Sequence, residues 1–146
     1  YVGRTFIEPT QRVRDLGVRI KLNPITRVLS GKSVVVVDDS IVRGTTCQRM
    51  IAMIKSAGAS AVHMRVSSPP VRFPCYYGID TPTREELAAA RMNIRQLGKE
   101  VGADSLEYLS EEDLVDAIGL GESAVCTACF SGKYLEEGGD VQDVTL

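Results

Sequence analysis

Val34-Val35-Val36-Val37-Asp38-Asp39-Ser40-Ile41-Val42-Arg43-Gly44-Thr45-Thr46 runs from four β-branched residues to two adjacent carboxylates and then to a small, hydroxyl-rich turn. Consecutive valines show no alternation of apolar and polar positions. That is the pattern of a strand covered on both faces, as in a parallel sheet flanked by helices. Side chains alternate along a strand, so Asp38 and Asp39 cannot share a face while the strand stays regular. At its carboxyl end, where the chain leaves the sheet, both can approach one ligand from different sides. Two carboxylates ~4 Å apart repel by roughly 1 kcal/mol in water and by roughly 4 kcal/mol at an effective dielectric of about 20. A divalent cation or a set of ribose hydroxyls relieves that repulsion, and Mg²⁺ binds through one or two carboxylates plus substrate phosphate oxygens. Beyond the acids, Gly44 lets backbone N–H groups come close to an anion, and Thr45 and Thr46 add hydroxyl donors. A helix beginning there turns its positive end toward the same anion.

Each piece alone has a plainer reading. An acid pair at a strand end is often the solvated start of a loop, and a Ser or Thr before a helix is usually an N-cap. In this order, behind a valine strand, the pieces read as a cradle for a sugar bearing a 5′-phosphate and a metal-bound diphosphate, such as phosphoribosyl diphosphate (PRPP). The phosphate loop of nucleoside triphosphatases is excluded, because no Gly-Lys-Ser/Thr follows a first glycine at the required spacing.

Around this stretch the chain reads as alternating strands and helices. Residues 1–8 read as a mobile loop, and roughly 10–20 as a short helix or basic connector with Arg12, Arg14 and Arg19, broken by Asn23-Pro24. Ser33 to Asp38 is the first strand. A helix runs from Thr46 to about Ala57, with Cys47, Met50, Ile51 and Ile54 on one face and Gly58 as its stop. Ala61 to Ser67 is a second strand, ended by Ser67-Ser68-Pro69-Pro70. Helices are expected from Arg84 to about Ala90 and from Asn93 to Val101, the latter stopped by Gly102. Leu106 to Leu109 is a short third strand, and Ser110-Glu111-Glu112-Asp113 starts a helix that continues through Ile118. Strand–helix–strand order implies parallel pairing with right-handed crossovers. Three strands are few for an open α/β sheet, so the unit is expected to be incomplete in this chain.

The chain has 146 residues and a formal net charge of −2, which gives no electrostatic footprint for nucleic acid. No apolar run approaches the ~20 residues needed to span a bilayer, and no signal-peptide pattern is seen. Neither nucleic acid nor membrane is therefore an expected partner. Cys126 and Cys129 form a Cys-x-x-Cys that, by itself, suits a zinc half-site, a redox pair or a cluster half-site. The redox pair is the weaker choice, because the motif does not follow the first strand of a βαβ unit. Cys75, between Pro74 and Tyr76, is a candidate third ligand, whereas Cys47 reads as a small core hydrophobe on the first helix. Arg27, Lys32 and His63 carry no assigned role.

The stretch Val35–Thr46 resembles the PRPP signature of type I phosphoribosyltransferases, and within them that of the glutamine phosphoribosylpyrophosphate amidotransferase family. Tyr1-Val-Gly-Arg-Thr-Phe-Ile7, Lys21-Leu-Asn-Pro24, Tyr77-Gly-Ile-Asp-Thr-Pro82 and Cys126-Thr-Ala-Cys-Phe-Ser-Gly-Lys-Tyr134 carry the same resemblance. It covers residues 1–134, which it makes the carboxyl-terminal part of a phosphoribosyltransferase domain, and leaves 135–146 as a tail. The family also has an amino-terminal glutaminase domain, which is absent here. The chain is thus expected to be the later part of a longer protein.

The resemblance implies the rest of the site. Asp38 and Asp39 would hold Mg²⁺ and the ribose hydroxyls, while Ser40, Ile41, Val42, Arg43, Gly44, Thr45 and Thr46 bind the 5′-phosphate. Arg4, on the loop 1–8, would be catalytic by covering the diphosphate and helping to exclude water. Ile7 and Leu87 would line an apolar ammonia channel, although from the sequence alone both are packing residues. Cys75, Cys126 and Cys129 would supply three ligands of a [4Fe–4S] cluster, the fourth lying outside this chain. The implied reaction joins glutamine-derived ammonia to PRPP, the first committed step of purine synthesis. The implied setting is a cytoplasmic homo-oligomer inhibited by purine nucleotides. Two other classes compete: a PRPP-sensing regulator of the same fold, and a non-catalytic, metal-stabilised fragment. A regulator would carry a DNA-binding module and need neither the loop 1–8 nor the Cys motif.

Overall fold

In the computed structural model, which describes residues 26–81 and 83–134, three parallel strands form one sheet in the order β1-β2-β3. They are β1 (Ser33–Asp38), β2 (Ala61–Val66) and β3 (Ser105–Tyr108). Between β1 and β2 lies α2 (Thr45–Ser56); α1 (Thr26–Leu29) precedes β1. Between β2 and β3 come a single 3-10 turn at Arg84–Glu86, then α3 (Ala88–Arg91) and α4 (Ile94–Val101). After β3 come α5 (Glu111–Ile118), a 3-10 turn at Glu122–Ala124, and α6 (Ala128–Ser131). The α/β fold with parallel strands and flanking helices is therefore as the sequence implied.

The register explains the core. Val36 lies opposite Met64, and Met64 opposite Leu106; two residues on, Asp38, Val66 and Tyr108 align. Val62, Met64 and Val66 face Cys47 and Ile51 of α2 and Leu97 and Val101 of α4 in one buried cluster. Leu97 and Val101 are four apart, so they occupy neighbouring turns of one helix face. α4 begins with a capping box, in which Asn93 accepts from Gln96 N–H while the Gln96 side chain accepts from Asn93 N–H. α5 is capped by Ser110, whose Oγ accepts from Asp113 N–H at 3.0 Å, and three acids fill its first turn.

Two expectations need correction. Among the described residues the valine strand is covered on one face only: Val35 is 60% and Val37 71% exposed, while Val34 and Val36 are half-buried. β1 is the edge of the described sheet, and the described core cluster lies against the opposite face. The open face carries His63, which bridges the strands with Nδ1 2.9 Å from Ser105 Oγ and Nε2 3.1 Å from Ser33 Oγ. Histidine 63 is thus satisfied by two hydroxyls.

The second correction concerns the expected helix from Arg84 to Ala90, which is split at Leu87. That residue is extended (φ −72°, ψ 116°) and fully buried. The helix restarts because Ala88 N–H, a first-turn donor with no intrahelical partner, donates to Val42 O at 2.8 Å. Sequence periodicity cannot register a bond to a residue so far back in the chain.

Candidate functional site

At the carboxyl end of β1 the chain is tied to the end of β2. Ser67 N–H and Ser67 Oγ both donate to Asp38 O, at 2.9 and 3.1 Å. The Asp38 side chain is half-buried and accepts from Asp39 N–H at 3.1 Å. Burial pushes its carboxyl above the ordinary carboxylate value; the Asp39 N–H opposes this and the Asp39 charge adds to it. Asp39 is exposed, and its Oδ1 accepts from Ser40 N–H at 2.6 Å and Ser40 Oγ at 3.3 Å. The two acids are thus distinct, one at the edge of the core and one in solvent, as the alternation of a strand requires.

Ile41, 2% exposed, roots the turn in the core. Gly44 stands at the N-cap of α2 with φ +83°, left-handed backbone that a side chain disfavours. A Cβ there would come no nearer than 3.6 Å to its closest neighbours, Leu97 and Val101, so the backbone angle, not crowding, calls for glycine. The N-cap position is Gly44 itself, which has no side chain to cap α2, and Thr45 and Thr46 stand inside the helix rather than at its N-cap. The amino end of a twelve-residue helix and its dipole thus face the turn, with no side-chain cap from its N-cap residue. Arg43 Nε donates to Glu86 Oε2 at 2.7 Å. Beneath the turn, burial and the Asp38 charge push the buried Cys47 thiol up to about 11. The Tyr108 hydroxyl, also buried, has no partner among the described residues.

Cysteines 75, 126 and 129 are drawn to a second region by contacts that involve no sulfur. Cys129 O accepts from Arg72 N–H at 3.0 Å and Phe73 N–H at 3.1 Å. Tyr134 donates its hydroxyl to Pro74 O at 2.7 Å and packs on Tyr76, ring centroids 4.9 Å apart. Arg84 lies over the Phe73 ring at 5.0 Å. The Cys129 thiol is raised chiefly by burial; the charges of Cys75, Cys126 and Glu111 also raise it, so these groups share one electrostatic neighbourhood. Even so, among the described residues no group of three or more His, Cys, Asp or Glu is arranged to hold a metal. Cys75 Sγ instead accepts from Tyr77 N–H at 3.4 Å. The three thiols are neighbours without ligand geometry, and a [4Fe–4S] cluster needs four thiolates. As described, these residues do not fit that group.

Leu87 is 0% exposed and its packing role is plain. Arg4, Ile7, the loop 1–8 and the tail 135–146 lie outside the described residues. A cavity of about 540 Å³, lined by Pro70, Arg72, Met92, Asn93, Arg95 and Leu97 among others, is separate from the acid pair and turn. Sequence reasoning missed Glu86, whose only signal was an acid beside Leu87. It also missed the clasp in which Phe73 N–H bonds Cys129 O, Tyr134 bonds Pro74 O, and Gly132 leaves room for the Phe73 ring, which has no periodic signature.

No family model matches the chain. The amidophosphoribosyltransferase of Synechococcus elongatus is 51% identical over 134 residues, which is 92% of this chain and 27% of that protein. That of Methanocaldococcus jannaschii is 53% identical over 137 residues, covering 94% of this chain and 29% of the relative. Among solved structures, glutamine PRPP amidotransferase from Bacillus subtilis, complexed with ADP and GMP, matches with a TM-score of 0.76 and 51% identity. It covers 92% of this chain and 30% of that one. A second structure, of an allosteric regulatory enzyme of purine biosynthesis, matches with the same TM-score. The chain spans less than a third of the length of the curated relatives it matches here. With half of its residues shared along 92% of its length, and the same parallel fold, the chain matches a part of the amidophosphoribosyltransferases.

Proposed function

We propose that this chain is the PRPP-binding portion of an enzyme that makes 5-phosphoribosylamine from PRPP and glutamine-derived ammonia, opening purine biosynthesis. The observation that carries the reading is the turn behind the acid pair: left-handed Gly44 at the N-cap of α2, where no side chain occupies the cap position. That end, with the Ser40, Thr45 and Thr46 hydroxyls, binds the 5′-phosphate together with Ile41, Val42 and Arg43 of the turn. Asp38 and Asp39 accept hydrogen bonds from the ribose hydroxyls, and their donor set suits Mg²⁺. The ion, when bound, neutralises the charge of the diphosphate. Ammonia nitrogen bonds to ribose C1 as the C1–oxygen bond to diphosphate breaks, and the nitrogen then loses a proton. Positive charge grows on the ribose ring during this exchange, and the Asp39 side chain beside the hydroxyls stabilises it.

Arg4 covers the diphosphate, and Ile7 and Leu87 form the apolar wall that keeps ammonia from water. Residues 1–134 act as the carboxyl-terminal part of the phosphoribosyltransferase domain, with 135–146 a tail and a glutaminase domain elsewhere in the protein. Cys75, Cys126 and Cys129 contribute to an iron–sulfur site only with a fourth ligand from outside the chain and after rearrangement; no step of the reaction uses it. A cytoplasmic homo-oligomer inhibited by purine nucleotides completes the proposal, the last point supported by the ADP and GMP complex of the Bacillus subtilis protein.

The test is Asp39→Asn in a full-length protein carrying this stretch. Mg²⁺-dependent turnover of PRPP is expected to fall by about tenfold or more, the scale of a lost transition-state contact. Unchanged kinetics would remove Asp39 from the site.

A further inference from the structure

The phosphate turn is fastened to the segment 84–88 at two points. Arg43 Nε donates to Glu86 Oε2 at 2.7 Å, and Ala88 N–H donates to Val42 O at 2.8 Å. Glu86 does not belong to a loose loop. It ends the 3-10 turn, its own N–H donates to Thr83 O at 2.9 Å, and the next residue, Leu87, is fully buried. The carboxylate is therefore presented from a rooted backbone. Both side chains of the pair are about half exposed, 48% and 50%, and an ion pair so exposed contributes little to folding. Its value must lie elsewhere.

We propose that Glu86 is a positioning residue for anion binding: it holds the Arg43 guanidinium at the mouth of the phosphate turn before substrate arrives. The proposal rests on the reading of the turn as the 5′-phosphate site. Glu86 has two opposed effects on an anion. Its negative charge repels the phosphate, which weakens binding. Its restraint removes the cost of ordering a long, rotamer-rich arginine during binding, which strengthens it. The bond runs to Nε and comes from a rooted turn, so restraint is the larger effect. The two effects predict changes of opposite sign.

The experiment uses a full-length family member carrying this stretch, with Mg²⁺–PRPP affinity measured by titration beside steady-state kinetics. Glu86→Gln is expected to raise KM for PRPP and weaken the titrated affinity together, by about threefold or more, with kcat changed less. Glu86→Asp keeps the charge but shortens the reach, and is expected to behave like Glu86→Gln. Arg43→Gln is expected to lose affinity as well, and adding Glu86→Gln to it should cost nothing more, because the two act as one unit. A tighter Glu86→Gln would show repulsion to dominate and overturn the proposal. Unchanged affinity with a lowered Tm would make the pair merely structural, which also overturns it. If the parent protein itself does not bind Mg²⁺–PRPP, the phosphate-site reading fails first; if it binds and Glu86→Gln matches it, only the positioning role fails.

Discussion

Asp38 is under opposite demands from folding and from ligand. Its carboxyl is raised above the ordinary value of 3.8, first by burial. A group raised in the folded state gives its full stabilisation below its unfolded pKa, and that contribution is lost as pH rises through the folded value. At neutral pH the ionised Asp38 therefore burdens the fold. Asp38→Asn keeps an acceptor for Asp39 N–H and removes the charge, so it is expected to raise Tm at pH 7 and, in a full-length protein with the proposed site, to abolish PRPP turnover. The gain should vanish below about pH 4, where Asp38 is protonated in both states. Thermal melts across pH check this, and a lower Tm at pH 7 would contradict it. The acid pair and Gly44 were legible in the sequence because their chemistry is local. Glu86 was not, because its partner lies 43 residues away and nothing in its own neighbourhood announces the contact.

At the scale of elements, Asp104 joins three pieces of the fold. Its Oδ2 accepts from Val62 N–H of β2 at 2.7 Å and lies 3.0 Å from Lys55 Nζ of α2, one residue before β3 begins. The Val62 N–H, then Lys55, hold its carboxyl below the ordinary value. Here the sign reverses: the stabilisation is present above the unfolded pKa and is lost as pH falls through the lower, folded one. Asp104→Asn is expected to lower stability at neutral pH and to flatten the acid limb of the stability–pH curve below about pH 4 relative to the parent, while the slope of the neutral-to-basic limb stays as it was. Denaturant melts at stepped pH would show it, and an unchanged acid limb would refute it. The strand and helix order was readable here because Gly58, Gly102 and Ser110 stand at or beside element ends. What misled was the run of valines. Hydrophobicity reports what a face can bury against, not whether an element is there, and β1 keeps Val35 and Val37 exposed among the described residues.

Across the whole molecule, the segment carrying Cys126 and Cys129 is joined to the sheet through the stretch that follows β2. Helix α6 is only four residues long, too short to hold itself, so its place depends on that attachment. Gly132 is its central piece. It has φ +76°, and a Cβ there would lie 2.8 Å from Cζ of Phe73, whose ring is held by Arg84. Gly44 makes the control, with nearly the same backbone angle and no contact nearer than 3.6 Å. Alanine at either site carries left-handed strain of about 1–2 kcal/mol. Gly132→Ala must also displace a fixed ring, so it should cost more than Gly44→Ala. The excess should be local: amide exchange at Arg72 and Phe73, which bond to Cys129 O, should accelerate in Gly132→Ala, while β2 amides keep their protection. Uniform loss of protection would mean instead that the clasp and the sheet unfold as one unit, and equal costs for the two alanines would mean that the Phe73 ring is free to move.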